Sequence, residues 1–236
     1  MDITGSVALV TGANRGLGRQ FAQQLLERGA RKVYATSRRP GAVDLPGVEV
    51  LPLDITDPES VAAAAETAGD VTLVVNNAGI TTGANLVTGD LADIRREMDT
   101  HFYGTLGVVR AFAPVLARNG GGGIVNVLSA LSWFSTNGAG AYAAGKAAAW
   151  NLTNGVRLEL IGQGTQVTGV VLGAADTDMM AGYDGFKTDA ADVVRTALDG
   201  VQAGDWEVLV DDWSRGVKAS LAGDPRDFYR QMGVSA

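Results

Sequence analysis

Tyr142 and Lys146 lie four residues apart in Ala141-Tyr-Ala-Ala-Gly-Lys146, and Ser129 stands thirteen residues before the tyrosine, just after the apolar run Ile124-Val-Asn-Val-Leu128. On a helix, side chains at i and i+4 share a face, so this spacing puts an ammonium beside a phenol. A neighbouring cation favours phenolate and lowers the phenol from its reference pKa of about 10. A phenol so tuned can donate or take a proton near neutral pH. Ser129, where an apolar strand gives way to a loop, is placed to hydrogen-bond the same reacting oxygen as charge develops on it. Taken alone, Tyr-x-x-x-Lys arises often by chance and more commonly marks a solvated helix face, so the elements around it must decide.

At the N-terminus, Val7-Ala-Leu-Val10 runs into Thr11-Gly-Ala-Asn-Arg-Gly-Leu-Gly18, followed by the periodic apolar positions Phe21, Leu25 and Leu26. Strand, glycine turn and helix in this order make a phosphate-binding site. Gly12 and Gly16 allow the tight turn and close approach of backbone to a pyrophosphate, Gly18 allows helix to pack on strand, and the helix N-terminus supplies oriented N–H groups, with Asn14, Arg15 and Leu17 in the turn itself. The glycine spacing is Gly-x-x-x-Gly-x-Gly, and it falls at the first strand-to-helix junction.

Together these residues resemble the short-chain dehydrogenase/reductase family over nearly the whole chain. Thr11 to Gly18 is similar to its cofactor loop, Asn76-Asn-Ala-Gly79 to the motif after its fourth strand, and Ser129, Tyr142 and Lys146 to its catalytic residues. Ser132 and Ser135 rival Ser129 but miss the family spacing to Tyr142. The resemblance implies reversible hydride transfer between a nicotinamide cofactor and a ketone or aldehyde, with Tyr142 as acid/base. A non-enzymatic, NADP-sensing binding protein on the same fold is the alternative. The resemblance also implies a homodimer or homotetramer through the long helices near 90–118 and 141–162.

The cofactor is expected to be NADP(H). Where an NAD-binding fold places an acid after its second strand, this chain has Ser37, followed by Arg38, a good partner for a 2′-phosphate. Arg15 points the same way, because a cation at a helix N-terminus opposes the macrodipole unless an anion sits there. Two solvated arginines are the bland reading. Asp54 resembles the family residue near the adenine, and an ordinary strand-end turn explains it nearly as well. Asn77, Ala78 and Gly79 would let backbone pack along the adenosine side.

Two departures from the family pattern are readable. In Met98-Asp-Thr-His-Phe-Tyr-Gly104, His101 replaces the asparagine thought to hold a water joining the lysine to solvent. Histidine also donates and accepts, with a reference pKa of about 6.5, so either a catalytic or a core role fits it. In Val170 to Met179, Leu172 replaces a common proline, while Thr177 matches the residue that contacts the nicotinamide-side ribose or phosphates, and Gly173 and Ala174 leave room beside the ring. Trp133, Phe134, Met179, Met180, Tyr183 and Phe186 are expected to form an adaptable apolar substrate pocket.

Composition narrows the alternatives. The chain has 236 residues, enough for one α/β domain spanning 1–236. It has no cysteine and a single histidine, which disfavours disulfides, thiolate metal sites and multi-histidine metal sites. With 19 basic against 26 acidic residues, its net charge of −7 disfavours a general nucleic-acid or anionic-membrane surface. No apolar run reaches the roughly 18 residues of a membrane span, and no targeting signal is read at the N-terminus, so a cytoplasmic protein is expected.

Strands are expected near 6–11, 32–37, 48–53, 71–76, 123–128, 166–171 and 206–210, alternating with helices. Alternation of this kind predicts a Rossmann-like, doubly wound parallel sheet with helices on both faces. Only ten residues, Arg38 to Gly47, separate the second and third strands. Helical crossovers usually need about a dozen or more, so a loop or single turn is expected there. Right-handed crossovers then give strand order 3-2-1-4-5-6-7, with the cofactor at the switch point between strands 1 and 4.

Overall fold

A computed structural model describes residues 1–234. Seven parallel strands form one sheet in the order β3-β2-β1-β4-β5-β6-β7. They are β1 Val7–Val10, β2 Lys32–Ser37, β3 Glu49–Pro52, β4 Leu73–Asn76, β5 Gly122–Val127, β6 Thr165–Val171 and β7 Glu207–Leu209. Helices α1 Gly16–Glu27, α2 Pro58–Thr67, α3 Leu91–Met98, α4 Thr105–Arg118, α5 Gly140–Leu160 and α6 Ala190–Ala203 alternate with them, and α7 Asp212–Ser220 and α8 Pro225–Gln231 close the chain. Between β2 and β3 there is only the single 3-10 turn Pro40–Ala42, as the short spacing requires.

Strand side chains alternate between faces, and the core splits accordingly. Ala8 and Val10 of β1 join Phe21 and Leu25 of α1 and Val193, Ala197 and Leu198 of α6. Val7 and Leu9 join Val61 of α2, Phe112 and Leu116 of α4 and Val156 of α5. Both faces of the sheet are therefore covered, which is why its strands read as nearly continuous apolar runs. A buried polar chain crosses the middle: Asn76 Nδ2 donates to Asn126 Oδ1 at 2.8 Å, and Asn126 Nδ2 donates to Thr153 Oγ1 at 2.9 Å. It ties β4, β5 and α5 together at the level where the sheet meets the cleft.

The helix expected over 90–118 is interrupted. α3 and α4 are joined by a π-helical turn, Asp99–Gly104, that contains His101. Such wide turns recur at functional positions.

Candidate active site

A cleft of about 530 Å³ opens along the carboxyl ends of the strands. Its walls come from the segments after β1, β2, β3, β4 and β6 and from the end of β5, as expected for a switch-point site in an open parallel sheet.

The first wall is the glycine turn. Gly12 and Gly16 have φ of 65° and 53°, in the left-handed region that glycine adopts without steric cost. A Cβ on Gly18 would lie 2.2 Å from Gly12 O and 2.5 Å from Asn77 Nδ2. Gly18 therefore brings α1 against the turn and does not itself line the cleft, unlike Gly12, Asn14, Arg15, Gly16 and Leu17. Thr11 Oγ1 accepts from the N–H groups of Asn77 and Ala78 at 2.9 and 3.0 Å, and Asn77 Nδ2 donates to Thr11 O at 2.9 Å. The two turns on either side of the switch point are thus one hydrogen-bonded unit.

Farther along, Ser37 and Arg38 line the cleft with Asp54, Ala78 and Gly79. Ser37 Oγ accepts from the Arg39 N–H at 3.1 Å, which shapes the turn that carries Arg38. Asp54 Oδ1 accepts from both the N–H and the hydroxyl of Thr56, at 3.0 and 2.7 Å, so it organises a strand-end turn as well as facing the cleft. Arg15 also has a partner within the chain: its guanidinium, on the cleft wall, is 3.2 Å from Asp178 Oδ2. Both partners are well exposed, and pairs of that kind contribute little to stability. Thr177, whose methyl would meet a Cβ on Gly16 at 3.3 Å, packs against the glycine turn from the β6 side.

At the deep end, Ser129, Tyr142 and Lys146 come together with His101. Ser129 follows β5, where its extended backbone caps a short 3-10 turn and its Oγ accepts from the Leu131 N–H at 3.1 Å. Tyr142 and Lys146 project from the first turns of α5, with Lys146 Nζ 5.6 Å from the tyrosine ring centre and donating to Val127 O at 2.8 Å. The His101 and Tyr142 rings meet edge to face at 5.1 Å between centres.

The electrostatics differ from the sequence expectation of a depressed phenol. Burial pushes the Tyr142 phenol up to about 12; the adjacent Ser129 hydroxyl opposes this, and the Glu97 carboxylate adds to it. Burial also lowers Lys146 to about 8, against the pull of Glu97. At neutral pH the tyrosine is therefore a neutral proton donor beside a largely charged ammonium. His101 is pushed below its ordinary value: burial and then the Lys146 charge lower it, and its hydrogen bonds to Glu97 and Ile80 do not reverse that.

The expected apolar pocket is only partly assembled. Met179 and Met180 line the cleft, while Ala174 lies beside the lining residues Gly173 and Ala175. Trp133 instead stacks edge-on with Trp150 at 6.2 Å, and Phe134 packs against Trp213 and Phe228 at 5.9 and 5.2 Å. Rings in α7 and α8 draw Phe134 away from the cleft. Tyr183 is 46% exposed and Phe186 is 85% exposed, so neither lines it. Residues not anticipated include Ile55, Ile80 and Leu172 on the cleft wall and Glu97 behind His101.

The pattern of the short chain dehydrogenase family matches residues 6–186. The chain belongs to this family. Among relatives, an uncharacterized oxidoreductase of Staphylococcus aureus (strain MW2) is 30% identical over 209 residues, covering 83% of this chain and 90% of the relative. An NADPH-dependent 1-acyldihydroxyacetone phosphate reductase of Schizosaccharomyces pombe is 34% identical over 192 residues, covering 78% of this chain and 64% of that one. Among solved structures, a short chain dehydrogenase from Burkholderia cenocepacia J2315 in complex with NADP is 37% identical, with a TM-score of 0.94 and full coverage of both chains. This short-chain dehydrogenase thus shares fold and family with enzymes of oxidation and reduction.

Proposed function

We propose that this short-chain dehydrogenase reduces a ketone or aldehyde with NADPH, and reverses that reaction as a secondary-alcohol dehydrogenase. The observation that carries the reading is the neutral Tyr142 phenol beside Ser129 and Lys146, at the deep end of a cleft that begins at a glycine turn. The glycine turn and the N-terminus of α1 would hold the pyrophosphate, and Arg38, on the cleft wall after β2, would take the 2′-phosphate; the NADP complex of the Burkholderia relative supports the choice of cofactor. The dinucleotide supplies hydride to the carbonyl carbon. Tyr142 gives its proton to the carbonyl oxygen, Ser129 orients that oxygen, and Lys146 binds the ribose and supports the phenol electrostatically.

Loss of NADPH absorbance with a panel of aromatic and aliphatic ketones and aldehydes tests the reading. Reduction is expected to fall as pH rises through about 8, where Lys146 loses its proton. Turnover of no carbonyl in the panel, with NADPH still bound, would favour the non-enzymatic reading.

Cofactor choice has its own test. Ser37→Asp with Arg38→Leu removes a phosphate partner and adds a carboxylate near the 2′ position, so the preference for NADPH over NADH in dissociation constants is expected to fall by about tenfold or more, the scale of one charge-assisted contact. Equal affinity of the parent protein for NADH and NADPH would refute the role given to Arg38. Self-association fits the exposed apolar side chains Tyr103, Leu158 and Ile161 near the long helices, and a solution mass by light scattering distinguishes monomer from dimer or tetramer.

A further inference from the structure

Glu97 and His101 lie one turn apart and are almost wholly buried, at 0% and 2% exposed. Imidazole Nε2 is 2.9 Å from the Ile80 carbonyl oxygen and 3.1 Å from Glu97 Oε2. A carbonyl oxygen and an ionised carboxylate only accept, so Nε2 must carry the hydrogen. Glu97 is ionised: burial works against it, but hydrogen bonds from His101 and from the Thr82 N–H hold its carboxyl below the usual range. The same burial, with Lys146 nearby, keeps the imidazole neutral. A neutral ring with its hydrogen on Nε2 has a bare Nδ1.

That nitrogen is on the edge of the ring towards Gly79, where an added Cβ would fall 2.9 Å from Cε1 and 3.5 Å from Nδ1. Gly145 makes room on the other edge, where a Cβ would meet His101 Cβ and Cδ2 at 3.2 Å. The two glycines let an imidazole occupy a place beside Tyr142 and Lys146. Both Glu97 oxygens are engaged, Oε2 with His101 and Oε1 with the Thr82 N–H at 2.6 Å. Two donors converge on this side chain, and a carboxylate accepts from both where an amide would oppose one of them with its own N–H.

We propose that Glu97 is a positioning residue that locks His101 in the Nε2–H tautomer, with Nδ1 bare on the Gly79 side, and thereby holds a neutral imidazole edge-on against Tyr142. Carboxylates fix imidazole tautomers in this way in catalytic and metal sites alike. The role rests on the reading of Tyr142 and Lys146 as the proton-transfer pair: His101 then stands against Tyr142 as a neutral ring of fixed tautomer, without itself taking up charge.

His101 is the single histidine of the chain, so protein labelled with 15N-histidine and freed of any affinity tag gives one imidazole signal set. At pH 7 the expected result is a protonated Nε2 and a bare Nδ1. A ring protonated on Nδ1, or on both nitrogens, overturns the proposal, and this measurement needs neither a substrate nor a variant. For turnover, Glu97→Gln is expected to lower kcat about tenfold with little change in KM for NADPH, the low side of losses when proton transfer is disturbed. In a His101→Asn background, which has no tautomer to fix, the same substitution should cost less than about twofold. Equal losses in the two backgrounds would make Glu97 merely structural and overturn the proposal. Should the parent protein reduce no carbonyl, the reductase reading fails while the nitrogen signals still decide the tautomer.

Discussion

Tyr142→Phe is expected to lower the turnover of carbonyl reduction by about 10² to 10⁴-fold, the usual contribution of a positioned acid, while the fold and NADPH affinity stay as they were. The substitution removes one hydroxyl and keeps the ring that meets His101 edge to face at 5.1 Å, so packing around the π-helical turn is preserved. The phenol it removes is the neutral donor of the cleft, pushed up to about 12 by burial. Steady-state rates together with a fluorescence titration of NADPH separate the two effects. A variant with near-parental turnover would take Tyr142 out of the mechanism, whatever its affinity for the dinucleotide.

The second large effect is expected from Lys146→Ala. Lys146 is only 6% exposed, and its ammonium donates to Val127 O at 2.8 Å, so removal also leaves a buried carbonyl without that partner. Turnover is expected to drop by about 10²-fold or more, since the phenol loses its supporting charge. NADPH affinity is expected to weaken by about tenfold, the scale of one hydrogen bond from a charged group to the ribose. The pH profile adds a separate readout. In the parent protein the ammonium is present below about 8 and is lost above it; the variant has no such group, so its residual rate should not fall through that range. Unchanged NADPH binding would confine Lys146 to the phenol, and a retained decline near pH 8 would assign that decline to another group.

Much of this arrangement is legible in the sequence because it depends on local rules. The glycine turn falls between an apolar strand and a periodic helix, Tyr142 and Lys146 obey the spacing of a helix face, and the ten residues after β2 are too few for a helical crossover. What escaped depends on partners far along the chain. Phe134 reads as a pocket residue until α7 and α8 supply Trp213 and Phe228 to pack against it, and nothing near Arg15 in sequence announces Asp178, which reaches it from beyond β6. The direction of the phenol shift is opposite to the sequence expectation because spacing reports the nearby ammonium but not the water displaced from around the hydroxyl. Glu97 is the exception. It stands four residues before His101, the spacing that singled out Tyr142 and Lys146, and the same rule applied to the lone histidine would have found it.

The wide turn at Asp99–Gly104 works as a phase shift in an otherwise continuous rod. Each residue of an α-helix advances the azimuth by about 100°, so one surplus residue in a turn uncouples the facing of α3 from that of α4. Beyond the turn, α4 buries Val108, Val109, Phe112, Val115 and Leu116 in a regular stripe against the sheet. Before it, α3 buries a single side chain, the carboxylate Glu97. A helix of uniform pitch would have to serve both demands from one stripe. Imposing α-helical pitch on the same residues, with none removed, would swing α3 by roughly a quarter revolution relative to α4, carrying the carboxylate away from Thr82 while the core side of α4 remained in place.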